Sequence, residues 1–252
     1  VGSEMCIRDS YSLLFSDRGS RDFAEAVSSI GYKVVELRVH EDGVHLHPFA
    51  STEEARKLRS ILGDYGLSVC CLSSYAKLGR TDGAEVRKAV SVAKLADALE
   101  APLFRIKVAS YDPRVGYEGV RSAFRHQLRE LIDALKRESV SAVPVVEQHG
   151  GDDMAHSTCM LKDLLRGFEP ERVGVIFDPG NAVREGWLPL PLQMDVVREY
   201  IKHVHVKNYE WIPEQPGAVR PSPLYRGIVD WKLIIETLRS WGFEGCLSLE
   251  DF

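Results

Sequence analysis

No apolar run in this chain approaches the roughly 20 residues of a membrane-spanning helix, so no membrane partner is expected. The five cysteines (Cys6, Cys70, Cys71, Cys159, Cys246) are odd in number and form no CxxC pair. That pattern argues against a disulfide framework and a thiolate metal site, and for reduced thiols in a cytoplasmic setting. No GxGxxG or GxxxxGK[ST] segment is present, which removes the usual glycine-rich phosphate loops. A basic excess is missing too: 32 Lys and Arg face 37 Asp and Glu, a net charge of −5, so nucleic acid is not the expected partner. Low-complexity segments and linkers are also absent. At 252 residues, 44% hydrophobic and 27% charged, the chain suits one large α/β domain whose core needs no staples.

The chain does contain a regular alternation. Strand candidates lie at 11–15, 32–38, 67–74, 102–108, 141–147, 173–178, 201–207 and 245–250. Helical periodicity fills the gaps at 20–30, 52–65, 84–99, 118–138, 157–168, 192–200 and 231–241. Ser51-Thr-Glu-Glu54 reads as a capping box, and Gly31, Gly66 and Gly242 as stops. Eight strands alternating with seven helices fit a (β/α)8 barrel better than a doubly wound sheet. Residues 1–10, VGSEMCIRDS, do not start on Met, show no signal-peptide pattern and open no obvious strand, and are read as a non-native leader. Residues 11–252 are then a single barrel domain, truncated after its eighth strand because Phe252 follows Glu250 by only two positions.

Four apolar strands end on a metal-type ligand: VPVVEQH on Glu147, VGVIFDPGN on Asp178, IKHVHVKN on His205 and GCLSLED on Glu250, spaced 31, 27 and 45 residues apart. Each alone has a plainer reading: Glu147 as a helix cap or the partner of an arginine, Asp178 as a turn residue in DPGN. His205 is more specific, because a period of two puts His203, His205 and Lys207 on one face of their strand and Val204 and Val206 on the other. Four such residues at consecutive strand ends meet at one rim of a parallel barrel. Three carboxylates and an imidazole suit a hard or borderline ion: Mn²⁺, Mg²⁺ or Co²⁺ first, with Zn²⁺ admissible.

With VVEQHGG, IFDPGNAVREG, HVHVKNY, YRGIVDWKLIIETLRSWGFEG and LSLED, residues 140–252 resemble the xylose isomerase-like TIM barrels. That group holds sugar isomerases and epimerases, inosose dehydratase and endonuclease IV. The resemblance implies one divalent ion held by Glu147, Asp178, His205 and Glu250, with Glu147 and Glu250 doubling as proton shuttles. It implies a sugar isomerase or epimerase acting through an enediolate on a carbohydrate-like small molecule, with a dehydratase as the runner-up. His149, Lys207, Arg226, Asn181 and Glu36 are candidate substrate-binding residues, each with a plainer alternative as a loop histidine, rim ion pair or surface side chain. Trp187, Trp211 and Trp231 are candidate walls, and the loop 208–225 with its four prolines is a candidate lid. Where many relatives carry a histidine, this chain has Asn181, a poor ligand, which favours a mononuclear site over the trinuclear zinc of a repair nuclease. That nuclease stays the first rival and a non-catalytic sugar-binding barrel the second, and a homo-oligomer is compatible with all of these readings.

Overall fold

Strands that alternate inward and outward side chains, each followed by an amphipathic helix, can bury both faces only by wrapping a sheet inside a ring of helices. The computed structural model describes residues 6–250 except 16, 81, 152, 187 and 188. Its barrel strands are β1 (Cys6–Tyr11), β2 (Val34–Val39), β3 (Ser68–Leu78), β4 (Leu103–Val108), β5 (Val143–Glu147), β6 (Gly174–Phe177), β7 (Ile201–Val206) and β10 (Cys246–Leu249). They close in the order β1-β10-β7-β6-β5-β4-β3-β2, every pair parallel. The expected eight-stranded barrel is the fold. A two-stranded antiparallel ribbon, β8 (Tyr209–Trp211) with β9 (Val219–Pro221), stands in the loop after β7.

The helices are α1 (Ser20–Ile30), α2 (Thr52–Asp64), α3 (Ala84–Leu99), α4 (Gly116–Arg137), α5 (Thr158–Leu165), α6 (Pro179–Glu185), α7 (Leu190–Val196) and α8 (Trp231–Ser240). Their ends follow local chemistry. The capping box at α2 forms in full: Ser51 Oγ accepts from Glu54 N at 3.2 Å, and Glu54 Oε2 accepts from Ser51 N at 2.8 Å. Gly31 ends α1 with φ of 97°, a left-handed conformation that costs glycine little.

Two expectations need correction. The first strand is Cys6–Tyr11 rather than 11–15, and Ser12–Phe15 forms a 3₁₀ turn. Residues 6–10, set aside as opening no strand, therefore pair with both β10 and β2. Pairing with two neighbours outweighs the weak strand propensity of CIRDS. Helix α6 was also unexpected, because DPGN reads as a turn. Asp178 instead caps it, its Oδ1 accepting from Asn181 N at 2.9 Å, with Pro179 at the first helical position.

The main core lies between the barrel's outer surface and the helices, with Phe104, Ile106, Val146, Val175, Phe177 and Val204 facing Phe23, Phe124, Leu161 and Ile234. Inside the barrel, a small apolar floor of Cys71, Val145 and Ile176 is followed two residues further along each strand by polar side chains: Ser73, Glu147 and Asp178. The interior thus turns from apolar to charged toward the C-terminal rim.

Candidate metal centre and cavity

One ligand atom from each of Glu147, Asp178, His205 and Glu250 lies within 4.8 Å of every other, and all four residues are buried. His205 Nδ1 faces Glu147 Oε1 at 3.3 Å, Glu250 Oε2 at 3.4 Å and Asp178 Oδ2 at 3.8 Å. It makes no well-directed hydrogen bond to any of them. A ring nitrogen pointing into three carboxylates is the donor set of a divalent cation, so these residues fit one. The other ring nitrogen is fixed from below. His205 Nε2 lies 3.2 Å from Glu36 Oε1, and the Tyr11 ring stacks on the imidazole with centroids 6.0 Å apart. A proton on Nε2 shared with Glu36 leaves Nδ1 with its lone pair turned to the carboxylates, the carboxylate–histidine–metal arrangement.

Glu36 is fully buried, takes a hydrogen bond from Ser73 Oγ and sits 2.9 Å from His203 Nε2. Burial works against its charge, but the two histidines outweigh burial and hold its carboxyl well below the usual range. Burial likewise opposes protonation of His205, yet Glu36 and Glu250 raise its pKa well above the ordinary value. Without a cation the imidazole keeps a proton that a bound ion would replace. Glu36, His203 and His205 also form a ligand-like group. It lies sealed under the first cluster with its oxygens already engaged, so its fit is to supporting His205.

Cations lace the carboxylates together. Arg105 Nη1 bonds Glu147 Oε2 at 3.0 Å while Arg105 Nε donates to Ser74 O at 3.1 Å, and its guanidinium lies 4.9 Å from the Tyr75 ring centroid. Burial raises the pKa of Glu147, but Arg105 and His205 reverse that and hold it well below the usual range. Lys207 Nζ sits 2.7 Å from both Asp178 Oδ2 and Glu250 Oε2. Burial pushes the Asp178 carboxyl up despite that lysine. Gly180 makes room for the lysine stem: a Cβ there would sit 2.6 Å from Lys207 Cγ. Lys107 Nζ comes no closer than 3.9 Å to Glu147 Oε2, and burial lowers its pKa.

A cavity of about 400 Å³ opens over this cluster at the C-terminal end of the barrel. That is enough for a small sugar-like molecule. A groove of about 480 Å³ at the opposite end, walled by Trp241 and Phe243, lies far from the ligands. Of the expected substrate contacts, His149, Asn181 and Lys207 line the cavity. Asn181 is already occupied, since its amide donates to Asp178 Oδ2 at 2.8 Å and Gln148 O at 2.9 Å. Glu36 lies beneath His205 rather than on the cavity wall. Arg226 is exposed and pairs with Glu210 Oε2 at 3.0 Å, away from the cavity lining. Trp211 is half exposed on β8, Trp231 donates its indole N–H to Lys207 O at 3.2 Å, and Trp187 lies outside the described residues. Sequence reasoning missed Arg105, Lys107, Tyr75 and Arg184 at the cavity. The signal for the first two was present in LFRIKV, where charges recur with a period of two inside a buried strand, as in KHVHVK.

The loop after β7 is tied at its base by Asn208. Its Oδ1 accepts from Tyr209 N and Val229 N, both at 2.9 Å, and its Nδ2 donates to Leu224 O at 3.1 Å and Val229 O at 3.3 Å. Gly227, with φ of 137°, lets the chain pass so close that a Cβ would lie 2.5 Å from Asn208 Oδ1. Farther out, Glu210 pairs with Arg220 at 2.7 Å across the ribbon.

A family model described as xylose isomerase-like TIM barrel matches residues 24–252. The L-ribulose-5-phosphate 3-epimerase of Salmonella heidelberg (strain SL476) is 25% identical over 236 residues, covering 88% of this chain and 78% of that protein. Among solved structures, a probable 3-DHS dehydratase from Bacillus anthracis superposes with a TM-score of 0.76 at 18% identity, over 97% of this chain and 92% of that one. A xylose isomerase-like TIM barrel protein from Mycobacterium smegmatis, in complex with magnesium, matches with a TM-score of 0.76 at 19% identity, over 100% and 92%.

Proposed function

The chain belongs to the xylose isomerase-like TIM barrel family, and on that premise we propose a divalent-metal-dependent isomerase or epimerase of a small polyhydroxylated carbonyl compound. The observation that carries this reading is the convergence of three carboxylates on His205 Nδ1 beneath the 400 Å³ cavity, which Glu147 and Glu250 line. Glu147, Asp178, His205 and Glu250 would hold Mn²⁺, Mg²⁺ or Co²⁺, which supplies Lewis acidity toward a substrate carbonyl. One carboxylate of the Glu147 and Glu250 pair removes the proton from the carbon beside that carbonyl, leaving an enediolate. The other returns a proton to the same carbon from the opposite face, which inverts it, or to its neighbour, which isomerises the sugar. Arg105 keeps Glu147 ionised and oriented, and Lys207 orients Glu250 by donating to its Oε2. Asn181 fixes Asp178 rather than meeting substrate.

The dehydratase reading has one specific support. His149 lines the same cavity, half-buried, with Nδ1 3.1 Å from Gly150 O, and could protonate a departing hydroxyl. Ketoses, inososes and dehydroshikimate offered in D₂O with each metal separate the two chemistries. Epimerisation shows solvent deuterium at the inverted carbon by NMR, whereas dehydration shows a conjugated product by ultraviolet absorbance. If no divalent ion raises the melting temperature and no deuterium enters any compound, the catalytic proposal fails. Glu147→Gln is expected to lower turnover by about 10²–10⁴-fold while the protein stays folded. Full turnover in that variant would remove Glu147 from proton transfer.

A further inference from the structure

We propose that the cavity selects an anionic substrate, a sugar-like carbonyl compound with a terminal phosphate or carboxylate seated against Lys107 and Arg184. This rests on the isomerase reading above and narrows its substrate class. The charges of the site are unequal once a divalent ion is bound. Arg105, Lys107, Arg184 and Lys207 all line the cavity, against the three carboxylates of the ligand cluster. With Glu36 held ionised beneath His205, the four cations meet four carboxylates, and a divalent ion leaves the site with an excess of two positive charges. A neutral polyol would leave the excess uncompensated inside a partly enclosed space, where charge is poorly screened.

Two of the four cations are already engaged. Arg105 bonds Glu147 and Ser74 O, and Lys207 bonds Asp178 and Glu250. Lys107 is different. It is only 8% exposed, its nearest carboxylate oxygen among the described residues is 3.9 Å away, beyond hydrogen-bond reach, and that oxygen already takes Arg105 Nη1. An ammonium has three protons to donate, and Lys107 presents its own to the cavity it lines. Its open side is the cavity. Arg184, exposed on α6, makes no ion pair among the described residues. Strands β4 and β6 flank β5 in the barrel, so Lys107 from β4 and Arg184 following β6 stand on either side of the Glu147–His149 segment. A phosphate or carboxylate lying over the end of β5 would meet both, with Gly150 and Gly151 leaving the backbone beside it bare of side chains.

Three inert ligands of one carbon skeleton provide the test: xylitol, xylonate and xylitol 5-phosphate, titrated calorimetrically into the Mg²⁺-loaded full chain. The anions are expected to bind at least about 10-fold more tightly than xylitol, the effect of one charge-assisted hydrogen bond. Lys107→Gln and Arg184→Gln should each remove most of that preference, lowering the affinity for the anions far more than that for xylitol. Arg184 is exposed, so its variant keeps the test intact if Lys107→Gln melts early. A preference for xylitol 5-phosphate identifies a phosphate site, and a preference for xylonate a carboxylate site. Equal affinity for all three ligands overturns the proposal. So does an anion preference that survives in both variants, which would mean the anion only chelates the metal. None of these ligands turns over, so loss of the anion site leaves the isomerase reading standing. Absence of deuterium exchange would remove that reading without touching the binding result.

Discussion

Replacing Lys207 with Met separates the two ways in which the carboxylate cluster can be neutralised. In the metal-free protein the Lys207 ammonium joins Asp178 Oδ2 and Glu250 Oε2, each at 2.7 Å, and all three groups are at most 8% exposed. Removing the cation from a buried, hydrogen-bonded set of charges typically costs about 3–5 kcal/mol, because the remaining carboxylates stay desolvated and repel each other. For a chain of this length each kcal/mol moves the melting temperature by roughly 2–4 °C. The metal-free variant should therefore melt roughly 6–20 °C below the parent. A divalent ion neutralises the same oxygens, so saturating Mg²⁺ or Mn²⁺ should return most of that loss. The metal-induced rise in melting temperature is expected to be larger in Lys207→Met than in the parent. The deficit also depends on pH. Burial raises the Asp178 carboxyl above its unfolded value, so its ionised form penalises folding at high pH. That penalty is relieved as pH falls through the raised pKa, and the gap between variant and parent should narrow with it. Differential scanning calorimetry in EDTA and in excess metal, at several pH values, measures all of this. A metal-free variant as stable as the parent, or a smaller metal-induced rise, would refute the reasoning.

Two further substitutions probe the scaffold. Glu36→Gln removes the charge under His205 but keeps the side chain's shape, and should weaken Mn²⁺ binding by about 10–100-fold, read by electron paramagnetic resonance titration. Unchanged affinity would mean that Glu36 does not orient the ligand. Gln127→Ala should cost about 2–4 kcal/mol in urea unfolding, because buried Gln127 accepts from Gly79 N at 2.7 Å and donates to Arg80 O at 2.5 Å and Asp82 O at 2.9 Å. A loss below about 1 kcal/mol would show that the turn after β3 holds without this clamp.

The barrel was legible because its evidence is repeated. Val143–Glu147, Gly174–Phe177 and Cys246–Leu249 are all short apolar runs, each bounded by turn or helix signals. The four clustered residues were legible because a charge at the end of such a run recurs four times. The first strand was not legible, because Cys6–Tyr11 is polar and owes its conformation to neighbours contributed by β2 and β10, one of them more than 230 residues away. Helix α6 was hidden because Asp-Pro-Gly-Asn is equally good turn chemistry, and only the cap bond from Asn181 N to Asp178 decides the matter. Glu36 was visible as a charge ending VVEL, but its place below the histidine depends on a contact spanning 169 positions. Lys107 and Arg105 could have been found by applying to β4 the two-residue period already used on β7. Arg226 lies in a loop near the site, while its side chain turns outward to Glu210.

Asn208 ties the loop beyond β7 at both ends, immediately after Lys207, through bonds to Tyr209 N and Val229 N. In mechanical terms the segment is a ring closed at its base, held there by the hydrogen bonds of one side chain. The stretch between Trp211 and Val219, joining β8 to β9, is then the part whose change in length or sequence is expected to leave the carboxylate cluster in place. A barrel built this way can change what it admits while leaving untouched the atoms that would react with it.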